Sequence, residues 1–261
     1  MKAYWLLLIS ALLAAGVQSQ PASVVPAEDD TGLDAHALVA GAIDLTRGHT
    51  SYAEMSMRIH RPDWERNSAL IAWTRGREDA LIRFTAPAKD AGNATLKDDE
   101  RMWTYTPRLN RVIRLPYSLM SQSWAGSDFS YNDLSRTDAL LHQYQLSISQ
   151  VQEQDGHTLY TIEAVPHENA PVVWGREVIE LRDDYVLLAH TFYDQDDIAL
   201  KQLKAMEIGT LGGRVFATRM RMSKLDETDH WTEVSYQEVQ FDIDVDDELF
   251  TVYSLKAGRG S

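Results

Sequence analysis

Residues 102–134 read MWTYTPRLNRVIRLPYSLMSQSWAGSDFSYNDL. The first half holds two short alternating runs, 102–106 and 111–116, with a turn at 107–110 between them. A period of two is the mark of a half-buried strand. On that pattern Trp103 and Tyr105 point one way, as do Arg111, Ile113 and Leu115 on the next strand. The second half has loop chemistry. Gly126 suits a backbone angle that other residues avoid, Ser127 and Asp128 can cap a turn or a short helix running from Tyr131 to Leu134, and Phe129 is an apolar anchor. Strands and loop together read as the wall and lip of an apolar pocket, with Trp124 and Tyr131 on the lip. The stretch supplies no nucleophile with an activating base and an orienting third group, which favours binding over turnover.

The same alternation extends outward in both directions. In 50–60, Ala53, Met55, Met57 and Ile59 share a side. Further runs place Ala69, Ile71 and Trp73 together, then Ala80, Ile82 and Phe84. Residues 86–100 (APAKDAGNATLKDDE) read as a long connection. Beyond the central loop, runs at 142–153, 158–165, 172–182, 185–193, 198–208, 214–224 and 231–241 are joined by short turns. One of these is Asp155-Gly156, a dipeptide suited to the left-handed turn of a two-residue hairpin. Two helices are expected at the ends, one capped by Thr31 and stopped by Gly48, the other started by Asp246 and Asp247.

The fold expected is therefore mainly β: an antiparallel sheet of about 11–12 strands that either closes into a barrel or curls strongly around its few helices. The inward set inferred from alternation includes Met55, Met57, Ile71, Trp73, Ile82, Phe84, Trp103, Tyr105, Ile113 and Leu115. Two short helices are too few to cover it, so an apolar cavity is expected, its methionines offering an adaptable surface.

Compartment follows from the start of the chain. Lys2, an apolar run at 3–15 too short to span a bilayer, and the small-residue exit at 17–19 make residues 1–19 a secretory signal peptide. Residues 20–30 are a polar, Pro-containing leader, and 31–256 form one domain. The chain has no cysteine and a formal charge of -14. It is therefore free of disulfides, and repelled by nucleic acid and by resting contact with anionic membranes.

Hydrolytic and metal chemistry lack support. Ser127 beside Asp128 has no GxSxG elbow, the histidines show no HExxH spacing, and the aspartate-rich turns lack the glycine and final glutamate of a calcium loop. No catalytic residue, metal or cofactor is expected.

The stretch MWTYTPRLNRVIRLP followed by WAGSDFSYNDL resembles the LolA-like outer membrane lipoprotein-sorting family, and the similarity extends more loosely over most of the remaining chain. Ala125 stands where that family commonly carries a larger apolar residue. The resemblance implies a curved half-open sheet with a helical lid over a hydrophobic cavity. It also implies a periplasmic carrier of lipid or acylated protein, working with an inner-membrane exporter of the resistance-nodulation-division type and touching membranes only transiently. Arg108, Arg111 and Arg114 then become candidates for contact with an anionic headgroup or an acidic partner surface. The competing classes are a non-carrying accessory subunit of the exporter, its sheet fully packed, and, third, an exported hydrolase whose ester turnover would disappear on Ser127→Ala.

Overall fold

The computed structural model describes residues 34–135 and 138–257. The expected signal peptide, leader and Thr31 cap lie outside the described residues. The first helix, α1 (Ala35–Arg47), is capped by Asp34, whose carboxylate accepts from His36 N at 2.9 Å, and it stops at Gly48 with φ 61°.

Six strands follow: β1 (Thr50–Arg61), β2 (Trp64–Arg75), β3 (Asp79–Ala86), β4 (Ala94–Asp98), β5 (Arg101–Thr106) and β6 (Arg111–Arg114). Two short helices, α2 (Tyr131–Ser135) and α3 (Ala139–Gln143), lead to β7 (Tyr144–Gln154), β8 (His157–Pro166), β9 (Arg176–Arg182), β10 (Leu187–Tyr193), β11 (Ala199–Leu211), β12 (Arg214–Lys224) and β13 (Trp231–Phe241). A 3-10 turn at Asp247–Phe250 and helix α4 (Val252–Ala257) complete the described chain.

All thirteen strands form one antiparallel sheet in the order β6-β5-β4-β3-β2-β1-β13-β12-β11-β10-β9-β8-β7. Two meanders are thus joined where β1 pairs with β13. β4 is the strand not anticipated, hidden inside the expected connection 86–100. Ala94, Thr95, Leu96 and Lys97 are all buried, so neither face is solvated and no polar alternation marks the strand. The Asp155-Gly156 hairpin forms as expected, with φ of 52° and 82° and Gln154 paired to His157.

Flat, thirteen strands would span roughly 58 Å at about 4.8 Å spacing. Yet Tyr117, just past edge strand β6, donates its hydroxyl to Pro171 O at 3.0 Å, in the loop between β8 and β9 near the other edge. The sheet must curl strongly to bring these regions together, and it stays open between β6 and β7.

Register sorts the apolar residues onto two faces. Met55 pairs with Leu70 and Leu70 with Phe84, while Ala72 pairs with Ile82; with Met57, Ile59, Phe216 and Val239 they build the inner core. Trp73 pairs with Leu81, Leu81 with Leu96 and Leu96 with Trp103, and these lie on the outer face with Tyr105 under Phe250 and Leu255. This corrects the expected orientation of Ile71, Trp73, Trp103 and Tyr105, which are not inward. The run ALIAW at 69–73 is apolar on both sides of β2, and α4 gives the outer face a core of its own, so alternation did not distinguish the two faces. A third cluster packs Leu38 and Val39 of α1 against Tyr160, Ile162 and Leu181.

Candidate functional site

Because β6 and β7 are opposite edges of the sheet, the chain between them has to cross from one edge to the other. It crosses the inner face. Trp124 is buried against Phe84, with ring centroids 5.4 Å apart, and its indole N–H donates to Thr95 Oγ1 at 3.0 Å. Phe129, Tyr131 and Leu134 pack on the same inner core. The segment 123–135 therefore takes the place of a helical layer over Met55, Met57, Ile59 and Phe216. Burial raises the pKa of the Tyr131 phenol, which keeps it neutral there.

Its backbone is a small closed loop. Trp124 N donates to Phe129 O at 2.7 Å, Tyr131 N to Gln122 O at 3.1 Å, and Asn132 N to Met120 O at 2.7 Å. Ala125 and Gly126 both take left-handed angles, φ 51° and 72°, which turn the chain sharply. α2 is capped by Ser130 rather than by Ser127 or Asp128. Ser130 Oγ accepts from Asp133 N at 3.2 Å, and Asp133 Oδ2 accepts from Ser130 N at 2.6 Å, a reciprocal capping box. Ser127, buried, donates its hydroxyl to Trp124 O at 2.7 Å and accepts from Phe129 N at 3.2 Å, so it serves the turn.

Polar ties hold the loop to the strands. Asp128, with its side chain fully buried, receives two bonds of 3.0 Å from Arg61 and one of 2.6 Å from Thr232 Oγ1. Lys201 donates to Asp133 at 2.6 Å, with Trp174 and Phe192 flanking its ammonium. Arg66 donates to Ala125 O. Arg61, Arg66, Lys201, Thr232 and Thr95 are the neighbours of the loop that sequence reasoning missed. Each lies far along the chain from its partner, and no local spacing signals it. The Ser130/Asp133 box was missed as well, the cap being expected at Ser127 and Asp128, although S-x-x-D before an apolar residue could have signalled it.

Two cavities border the segment. The larger, about 780 Å³, lies between α3 and the β5–β6 end and is lined by Lys97, Asp99, Arg101, Arg114, Leu115 and His142 among others. Burial depresses the Lys97 pKa, and its ammonium donates to Arg77 O at 3.2 Å and to Glu78 O. The smaller, about 360 Å³, lies against Arg61, Asp128, Asn132, Trp174 and Lys201.

Of the residues expected to line an apolar cavity, only Leu115 borders either space; Met55, Met57, Ile82 and Phe84 lie beneath the segment, and Ile113 lies exposed at the rim. Arg108, Arg111 and Arg114 are exposed, with Arg111 and Arg114 on opposite faces of β6. A cluster of possible metal ligands, His157, Asp183 and Asp184, sits at the β7–β8 and β9–β10 turns, where Asp183 is bonded by His157 at 2.7 Å and Asp184 by Arg182. Among the described residues no helix is long and apolar enough to cross a membrane.

Comparison with known proteins fits this architecture. A DUF1329 family protein from Desulfovibrio piger superposes with a TM-score of 0.76 at 23% identity, covering 85% of this chain and 97% of its own. A putative outer membrane lipoprotein-sorting protein domain from Vibrio parahaemolyticus gives 0.73 at 22% identity, covering 84% and 97%. A LolA superfamily protein from Nitrosomonas europaea gives 0.71 at 18% identity, covering 85% and 99%. No curated protein matches the chain. A family model described as "Uncharacterized protein" matches residues 76–257, most of the described chain. The chain belongs to that family, and it shares its fold with the solved LolA superfamily protein.

Proposed function

We propose that this protein is a periplasmic carrier that holds a lipid, or the acyl chains of a lipidated protein, between the inner face of the sheet and the segment 123–135. The observation that carries the reading is the nature of the cover. A broad apolar surface from Met55 to Phe216 is closed by one loop, held by the buried Trp124, by the partly buried Phe129, Tyr131 and Leu134, and by side-chain ties to Arg61, Arg66, Thr95, Lys201 and Thr232. In this reading the loop is a stand-in for cargo. Lifting it exposes Met55, Met57 and Phe84, and an acyl chain replaces it.

The magnitude is adequate. Shielding a sixteen-carbon chain from water is worth about 11 kcal/mol at roughly 0.8 kcal/mol per methylene. A bilayer offers the same shelter, so loading from a membrane is near balance and calls for an energised partner. An inner-membrane exporter of the resistance-nodulation-division type would fill that role. The signal peptide expected at residues 1–19 and the likeness of fold to LolA-type proteins support the periplasmic location.

One observation favours a second reading. The inner face is filled by Trp124 and Phe216, as expected for an accessory subunit that carries nothing. Native mass spectrometry of protein purified from the periplasm separates the two. A carrier retains lipid adducts or takes up added acyl probes, whereas an accessory subunit shows the bare mass and no uptake.

A further inference from the structure

β6 ends one side of the sheet and is paired only on its β5 side. Leu115 N donates to Met102 O at 2.9 Å, which puts Arg111, Ile113 and Leu115 at the positions that exchange hydrogen bonds with β5. Val112 and Arg114 therefore direct their N–H and C=O groups away from the sheet, to an edge that no described strand covers. An open edge of this kind is a template for another strand.

The side chains around it are equally unengaged. Every other described arginine bonds a carboxylate or a carbonyl oxygen, the half-buried Arg47 and the buried Arg83 included. The guanidinium groups of Arg108, Arg111 and Arg114 bond to no described residue. They are the exception in a chain of net charge -14, and they surround one strand: Arg108 in the turn before it, Arg111 on the inner side and Arg114 on the outer. Leu109, 71% exposed, and Ile113, 44% exposed, add apolar surface beside them.

Two other occupants suit the edge less well. A second copy of this chain would set its own arginines against these. An anionic lipid would satisfy the guanidinium groups but leave the row of backbone donors and acceptors unmatched. We propose that β6 is a docking edge for an extended, acidic segment of a partner protein, added as a further strand along Val112 to Arg114. Main-chain bonds hold the segment and its carboxylates on both faces select it, through Arg111 inside, Arg114 outside and Arg108 at the turn end. The proposal does not depend on cargo at the inner face.

The test uses the full chain with a labelled alternating Glu-Val octapeptide, its Lys-Val counterpart, and phosphatidylglycerol vesicles. The Glu-Val peptide should bind at least about tenfold tighter than Lys-Val, and it should slow amide exchange at Val112 and Arg114 by about tenfold or more. Val112→Pro removes an outward N–H without changing charge and should cost about tenfold in affinity, and Arg111→Glu with Arg114→Glu should reverse the peptide preference. Unchanged exchange at those two amides in the wild type, full affinity in a folded Val112→Pro variant, or binding to vesicles alone would overturn the proposal.

Discussion

Both terminal nitrogens of Arg61 lie 3.0 Å from the carboxylate oxygens of Asp128, joining the end of β1 to the loop that crosses the inner face. The Asp128 side chain is fully buried and that of Arg61 nearly so. Such a pair gains little over an apolar one, but breaking it strands a charge. Arg61→Ala should cost about 3–5 kcal/mol in urea unfolding, whereas the double change Arg61→Met with Asp128→Leu should cost far less. Equal losses in both variants would show that the tie matters for packing and not for charge.

Trp124 is the ring that fills the inner face. Trp124→Ala should destabilise the protein by about 3–5 kcal/mol through the cavity left against Phe84. The same change should tighten binding of a fluorescent acyl probe, because the loop no longer competes for that surface and the binding-competent state is more populated. Unfolding and probe titration on one preparation read both effects. Destabilisation without tighter binding would make Trp124 an ordinary core residue.

The junction of α1 and β1 carries a pH-sensitive tie. The His49 N–H at 2.9 Å and the Arg214 guanidinium at 2.7 Å hold the Asp242 carboxyl below the usual carboxylate range. Folding lowers this pKa, so the tie contributes fully above the unfolded value and is lost as pH falls through the folded one. Asp242→Asn should melt below wild type at neutral pH, with the gap closing in strong acid. Asn tolerates the left-handed backbone at this position, φ 55°, so the comparison isolates the charge. A gap independent of pH would assign the loss to shape.

Where one face of a strand was wet, the fold could be read directly. Met55, Met57 and Ile59 alternate with Glu54, Arg58 and His60, and their inward orientation followed from that contrast alone. The contrast vanishes where α4 covers the outer face. Trp73, Trp103 and Tyr105 are as apolar as their inward neighbours, and β4 is buried on both sides. The loop's composition was legible, including its need for Gly126. Its position across the inner face was not, because that depends on β6 and β7 lying at opposite edges, a property of the whole pairing order. Arg61 and Asp128 meet across 67 residues of chain, a distance that no local pattern reports.

Carriage of an acyl chain beneath the crossing loop is tested most directly by photolabelling. A palmitate analogue with a diazirine near its methyl end is incubated with the protein, irradiated, and the labelled residues are mapped by mass spectrometry. A carrier of this construction takes label at Met55, Met57, Phe84 and Phe216, more strongly in Trp124→Ala than in wild type. Absence of label from these residues in both proteins, or label confined to exposed outer positions such as Tyr253, would contradict it.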